Sequence, residues 1–293
     1  MNGSMPEVDI VQNQEPEKWR DGIDPFSLPL RNMQVLEILG YPHAANQVFY
    51  VRGKECGKEG YYYLKYAHHA DANFKNEVEI LRQLRSPLTP DIIEYDAEQY
   101  QYEITRQIEG RRLSVILAEA GAENGLGYMY EYGHTLAELH LASGAFSNAP
   151  HRRYHDIPEF SYFEKIGMAD IYDWLIENKP TQINKCFVHG DFHYANILWK
   201  DGRITGILDF ELAGIGNREF DIAWSLILRP GQRFLRTEAE LQEFIAGYSS
   251  VAECDLTLVS YYMILIYVRF LKFGDEQYEQ FIREWIGKYT KGK

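Results

Sequence analysis

Asp191, Asn196 and Asp209 are the residues around which chemistry could be organised. Asp191 and Asn196 lie five residues apart in Val188 to Trp199 (VHGDFHYANILW). Asp209 follows Asn196 by thirteen residues, inside Ile207-Leu208-Asp209-Phe210-Glu211. Apolar runs precede both aspartates, so each carboxylate would be presented at a strand end. Phosphoryl transfer needs such a set. One carboxylate orients and deprotonates an acceptor hydroxyl, while an amide oxygen and a second carboxylate hold Mg²⁺ against a triphosphate. The same letters admit a rival reading. His189, Asp191 and His193 at i, i+2 and i+4 would share one face of a strand and could bind zinc. Zinc gives no use to Asn196 or to the Asp209 strand. It also lacks a second histidine cluster, because the adjacent His68 and His69 would point to opposite faces of a strand. In the plainest reading, His189 and Asp191 only cap a turn.

The elements that must position these residues fall into two groups. From Met33 to Gln107 the pattern is mostly strand. Val35 to Leu39, Gln47 to Val51 and Tyr61 to Ala67 are β-branched and aromatic runs, and Gly53 to Gly60 (GKECGKEG) between the last two reads as a hairpin loop. Asp71 to Leu84 switches to helical spacing, with Asp71 as its N-cap. Strands follow near Ile92–Tyr95 and Tyr100–Thr105. From Leu113 helices dominate: Tyr128 to Leu141, Tyr162 to Asn178, Phe220 to Leu228, Thr237 to Ala246, Leu256 to Phe273 and Gln277 to Tyr289. A short β island from Cys186 to Glu211 interrupts them. A small strand-rich part followed by a larger helical part suggests two lobes with a cleft between them.

Composition narrows the function classes. Lys plus Arg total 30 and Asp plus Glu total 43 in 293 residues, a net charge of −13. Phosphate neutralisation needs a basic face, so nucleic acid is disfavoured as a partner, and so is an anionic membrane surface. The excess acid is compatible with a cationic partner or with plain solubility. Cys56, Cys186 and Cys254 are far apart and odd in number, which argues against a disulfide framework and for reduced thiols in a cytoplasmic setting. The most apolar run, Leu256 to Val268, meets Arg269 and reads as a buried helix rather than a membrane span.

HGDFHYANIL followed by ILDFELAGIGNREFDIAW resembles the aminoglycoside phosphotransferase and choline kinase superfamily, relatives of the protein kinases. The resemblance implies an α+β, protein-kinase-like bilobal fold: a tail or arm over 1–28, a strand-rich, nucleotide-binding N-lobe over 29–107, and a mainly helical C-lobe over 108–293. It implies Asp191 as the catalytic base or hydroxyl-orienting carboxylate, and Asn196 and Asp209 as Mg²⁺ ligands. His189 and Asp221 would support the catalytic loop, although Asp221 is also suited to a helix N-terminus. Upstream, the family requires a strand lysine for the α- and β-phosphates and a helical glutamate paired with it. Lys65 in YYYLKYA and Glu77 in NEVEILRQL meet those demands. Ile104 to Gly110 (ITRQIEG) would be the inter-lobe linker, with Thr105 as gatekeeper, and the Arg106 carbonyl and Ile108 N–H as adenine contacts. The phosphate-covering loop departs from the glycine-rich pattern: Gly40 to Asn46 has a single glycine, with Asn46 at a polar position typical of shorter loops.

The resemblance implies Mg²⁺ with ATP, GTP being the alternative nucleotide, and a small-molecule hydroxyl as acceptor, with a cationic acceptor among the options. The family includes kinases for aminoglycosides, macrolides, choline, ethanolamine and other metabolites. It also includes relatives that serve as binding or spore-coat proteins without turnover. Glu211, in D-F-E, would bind an acceptor amine or assist around the metal. The residues do not specify the acceptor or the oligomeric state.

Overall fold

The structure, a computed structural model, describes residues 23–41, 46–67, 72–120 and 125–290. The arm up to residue 22, the phosphate loop at 42–45, His68, His69 and the N-cap expected at Asp71 lie outside the described residues. Chain contacts divide the rest into two units: residues 23–119 with 194–213, and residues 120–193 with 214–290. This division does not fall at 107/108, where the lobe boundary was expected. It groups residues 108–119 and 194–213 with the strand-rich segment.

The first unit opens with β1 (Met33–Gly40), β2 (Gln47–Glu55) and β3 (Lys58–Tyr66), then α1 (Phe74–Gln83), β4 (Ile92–Tyr95), β5 (Tyr102–Arg106) and α2 (Leu113–Ala120). The strands form an antiparallel sheet in the order β1-β2-β3-β5-β4. Alternation decides its faces. Phe49, Val51, Tyr62, Leu64, Tyr102 and Ile104 form the core on one side. Lys65, Glu103 and Thr105, at the odd positions between them, therefore face the other. The expected eight-residue loop between β2 and β3 is a two-residue turn. Glu55 pairs with Lys58, and Cys56 and Gly57 take positive φ (46° and 84°), as a type I′ hairpin requires. Extended Gly53 and Gly60 pair across the strands rather than bend.

The chain continues through α3 (Leu126–His140), α4 (Phe160–Lys165), α5 (Ala169–Glu177) and β6 (Lys185–Val188) of the second unit. The hairpin β7 (Ile197–Lys200) and β8 (Arg203–Ile207) belongs to the first unit. The second unit resumes with β9 (Gly214–Asn217), α6 (Arg218–Leu226), α7 (Glu238–Ser249), α8 (Leu256–Phe270) and α9 (Glu276–Thr290). The single helix expected over Tyr162 to Asn178 is two, α4 and α5, because Gly167 takes φ +66° and stops the first. The β island is likewise two separate pairs, β6 with β9 and β7 with β8, and it reaches Asn217.

In the second unit, α3 and α7 cross at glycine. A Cβ on Gly133 would lie 2.0 Å from the Phe244 carbonyl oxygen, and one on Gly247 would lie 2.0 Å from that of Tyr130. Only glycine permits that approach. α8 with the turn after it is apolar enough over 18 residues to cross a membrane by composition. Its residues from Tyr261 to Val268 are buried, however, and it packs on α6. That is the pattern of a core helix. The three cysteines are free thiols.

Candidate active site

In the first unit, the β3–β5 register sets Lys65 directly opposite Glu103. Lys65 Nζ donates to both carboxylate oxygens of Glu77 on α1, at 2.9 and 2.8 Å, and lies 3.3 Å from Glu103 Oε1. Glu77 and Glu103 are fully buried. One lysine thus faces two carboxylates, and burial disfavours charge on each. For Glu77, Lys65 outweighs burial, and hydrogen bonds from Glu103 and the Phe210 N–H help hold its pKa down. For Glu103, burial and the neighbouring Glu77 outweigh Lys65 and push its pKa well up. The stable arrangement is a lysinium, an ionised Glu77 and a protonated Glu103. Neither Glu103 oxygen meets hydrogen-bond geometry with a partner among the described residues, and a buried carboxyl that accepts no hydrogen bond favours its neutral form. Burial opposes the charge on Lys65, but the ionised carboxylates of Glu77 and Asp209 raise its pKa above the usual value.

The β7–β8 hairpin brings Asn196 and Asp209 near each other. It turns at Asp201-Gly202, both at positive φ, and pairs Ile197 with Ile207. The Leu208 N–H then donates to the Asn196 carbonyl at 2.8 Å. Asp209 itself takes φ 68°, a left-handed conformation that aspartate tolerates better than most residues. The next N–H, of Phe210, donates to Glu77 Oε1 at 3.2 Å, which joins the Asp209 segment to the Lys65–Glu77 pair. Glu211 is an anchor. Its carboxylate accepts from Asn46 Nδ2 at 2.9 Å and from the Asn73 N–H at 2.7 Å, while Asn76 Nδ2 donates to the Glu211 and Ala213 carbonyls. These bonds engage both carboxylate oxygens, and a carboxylate oxygen can accept more than once. Oxygens of Glu77, Asp209 and Glu211 lie within 4.8 Å of one another. This all-oxygen donor set suits a hard cation such as Mg²⁺ better than zinc.

In the linker, Thr105 is buried on the Lys65 face, and the Arg106 side chain pairs with Glu55 at 2.6 Å. The Ile108 side chain packs over Gly206 of β8, and its N–H has no hydrogen-bond partner among the described residues.

In the second unit, Asp221 on α6 accepts from two consecutive loop amides, His189 N at 2.8 Å and Gly190 N at 2.9 Å. Gly190 has φ +78°, which lets the loop curl onto that carboxylate. His140 Nε2 lies 3.2 Å from Asp221, and its Nδ1 lies 2.7 Å from the Tyr248 hydroxyl. Burial alone would depress the His140 pKa, but Asp221 and Cys186 raise it to about 9. His189 is buried, with its Nδ1 3.2 Å from the Asp191 N–H. Asp191 accepts from Trp224 Nε1 at 2.7 Å, with His193 at 3.5 Å and Arg152 at 3.7 Å. Burial would raise the Asp191 pKa, but His193, Arg152 and Arg229 hold it far below the usual carboxylate range. Asp191 is therefore a poor proton acceptor and a firm anionic anchor.

A model of the phosphotransferase enzyme family matches residues 38–254. The chain belongs to that family. An aminoglycoside 3'-phosphotransferase of Enterococcus faecalis is 26% identical over 98 residues, 33% of this chain and 34% of that protein. A probable acyl-CoA dehydrogenase, IBR3, of Arabidopsis thaliana is 38% identical over 64 residues, 20% of this chain and 8% of that protein. The chain thus spans about a third or less of the curated relatives it matches. Solved structures cover far more of it. A choline/ethanolamine kinase family protein from Mesorhizobium loti aligns over 94% of this chain and 92% of its own, with 15% identity and a TM-score of 0.57. The streptomycin–ATP complex of APH(2")-IIa aligns over 88% and 92%, with 15% identity and a TM-score of 0.56. The fold of this phosphotransferase-family chain is therefore the α+β, protein-kinase-like one.

Sequence reasoning missed Glu103, Trp224 and Arg152. Trp224 stands three residues after Asp221 on α6, so helical spacing could have flagged it. Asp201-Gly202 is a hairpin signal that explains how Asn196 and Asp209 meet. Glu103 depends on strand register, and Arg152 on a contact across 38 residues; neither leaves a local trace. A cavity of about 590 Å³ in the first unit is lined by Arg31, Tyr66, Arg82 and Glu94 and by none of the residues above.

Proposed function

We propose that the protein is a nucleotide-dependent kinase of a small-molecule hydroxyl, with ATP as the phosphoryl donor and GTP as the alternative. The observation that carries this reading is the linkage of Lys65, Glu77 and the Phe210 N–H beside Asp209. It makes one rigid unit of a phosphate-binding cation and a metal-binding carboxylate. Lys65 holds the α- and β-phosphates, Glu77 fixes the Lys65 ammonium, and the Ile108 N–H and Arg106 carbonyl receive adenine. Asp209 and Asn196 hold Mg²⁺, with Glu211 and Glu77 nearby; the ion, when bound, shields the phosphate charge.

Asp191 orients the acceptor hydroxyl. The hydroxyl oxygen forms a bond to the γ-phosphorus as the bond from that phosphorus to the β,γ-bridging oxygen breaks, and the nucleoside diphosphate leaves. The hydroxyl proton passes by way of Asp191 to solvent, since so weak a base does not retain it. A loose transition state asks little of a base, so most of the rate comes from positioning and charge stabilisation. Asp221 fixes the loop through its two amide contacts. A cytoplasmic setting accords with the nucleotide and the free thiols.

The test is coupled nucleoside-diphosphate release over a panel of hydroxyl compounds. Asp191→Ala should retain Mg-ATP binding and lose turnover by about 10²–10⁴-fold. Asp209→Ala should lose Mg²⁺-dependent nucleotide affinity. Full turnover in the first variant, or unchanged Mg-ATP titration in the second, removes the corresponding assignment.

A further inference from the structure

The surroundings of Asp191 have the opposite sign from the chain as a whole. Arg152 lies over the Trp224 ring, its guanidinium carbon 4.0 Å from the ring centroid, and Arg229 lies over the same ring at 5.2 Å. That tryptophan donates to Asp191 at 2.7 Å. The Arg152 side chain is only 16% exposed, yet its donors are mostly unused. One Nη1 proton goes to the Gly190 carbonyl, and the 3.7 Å separation from Asp191 Oδ1 is too long for a hydrogen bond. No other acceptor reaches Arg152 among the described residues. Burial and the nearby Arg229 both work against its charge, with Asp191 only partly offsetting them.

A guanidinium held over an indole and anchored through one Nη1 proton is preorganised, and its fork matches the two-oxygen geometry of a carboxylate or phosphate. Of the two carboxylates that act on Arg152, Asp221 is already taken up by the His189 and Gly190 amides and by His140, so two guanidiniums over one ring beside Asp191 favour the arrival of an anion. An acceptor ammonium placed at Asp191 would instead meet Arg152 and Arg229 as like charges.

We propose that the acceptor is an anionic hydroxy compound, its carboxylate or phosphate taken by Arg152 while Asp191 holds its hydroxyl. This rests on the kinase reading above and gives that reading a substrate class opposite to the one the net charge suggests.

The experiment uses the full chain with Mg-ATP and acceptors in matched sets: hydroxycarboxylates, their primary amides, the corresponding amino alcohols, and glycerol 3-phosphate beside glycerol. The anionic members should turn over, with kcat/KM falling about tenfold or more when the charge is removed. Which anion is preferred separates a carboxylate acceptor from a phosphorylated one. Arg152→Lys should raise the acceptor KM by about 10- to 100-fold and leave the KM for Mg-ATP within about twofold. A rise in the Mg-ATP KM with an unchanged acceptor KM means that Arg152 serves the nucleotide phosphates, and it overturns the proposal. Preferred turnover of amino alcohols or neutral compounds also overturns it, while leaving the kinase reading intact. The wild-type panel requires no variant, so a misfolded Arg152→Lys does not block the test.

Binding is read separately, by tryptophan fluorescence titration with the same anions in wild type, Trp224→Phe and Arg152→Gln. Saturable quenching in wild type that both variants lose upholds the anion site even if no compound releases ADP, and only the kinase reading then fails. Absence of both quenching and anionic turnover overturns the anion site.

Discussion

Replacing Glu103 by glutamine substitutes an amide for a carboxyl that is already protonated, so shape and hydrogen-bonding capacity barely change. In the folded protein the Glu103 pKa is pushed well up by burial and by Glu77. In the unfolded chain it titrates near 4.5. Above that pH, folding takes up a proton at Glu103. Stability therefore falls as pH rises, by about 1.4 kcal/mol per pH unit for as long as the folded carboxyl stays protonated. Its contribution is fully present below the unfolded pKa and is lost as pH rises through the folded one. Glu103→Gln removes this proton uptake. Relative to wild type, the variant should be nearly neutral at pH 4.5 and should gain on it steadily as pH rises above that, until the folded carboxyl ionises. Glu77→Gln, which breaks the buried ion pair with Lys65, should instead cost about 3–5 kcal/mol at pH 7. Urea denaturation of the three proteins at half-unit steps of pH is the assay. If Glu103→Gln keeps the wild-type pH slope, or is markedly destabilised at pH 7, then Glu103 is ionised and shares Lys65 equally with Glu77.

His140, held up to about 9 beside Asp221, gives a second window. Its contribution, about 3 kcal/mol, is complete below about pH 6.5 and lost as pH rises through 9. In a Glu103→Gln background, denaturation should show that loss, and His140→Asn should flatten it. Gly133→Ala and Gly247→Ala each push a methyl into a facing carbonyl at the α3–α7 crossing. Each should lower stability by about 2–3 kcal/mol, read as a drop in Tm. Trp224→Phe removes the hydrogen bond to Asp191 and should reduce kcat about tenfold with Mg-ATP affinity unchanged; equal loss in nucleotide binding would point to a wider collapse. Because Asp191 stays ionised far into acid, any acid limb of the kcat profile above about pH 4 should persist in Asp191→Asn, if that variant keeps measurable turnover.

The net charge of −13 says little about the acceptor, because the charge that matters is local. Forty-three carboxylates are spread over the chain, while Arg152 and Arg229 are concentrated at one tryptophan beside Asp191. At physiological salt, exposed charges farther apart than about 8 Å are largely screened, so mostly buried neighbours outweigh a distant surplus.

Much of the arrangement was legible because it is local. β-branched alternation marked the strands, and Lys65 stood at an alternate position among apolar residues. Helical spacing put Glu77 on α1. Asp191, Asn196 and Asp209 follow from short motifs whose spacing is fixed by a turn and a two-residue hairpin. The sequence alone thus determined the kinase-like class and which side chains could carry phosphoryl transfer. Where local signals competed, it misjudged lengths. The glycines at 53 and 60 read as loop but pair as strand, and Gly167 broke a run that looked continuous. Tertiary structure alone decided the charge state of the site. That state depends on burial and on neighbours brought in from distant segments: Glu103 across a β ladder onto Lys65, and Arg152 and Trp224 onto Asp191. A pairwise electrostatic energy depends on separation and on the water excluded between the partners, and neither quantity exists until the chain has folded.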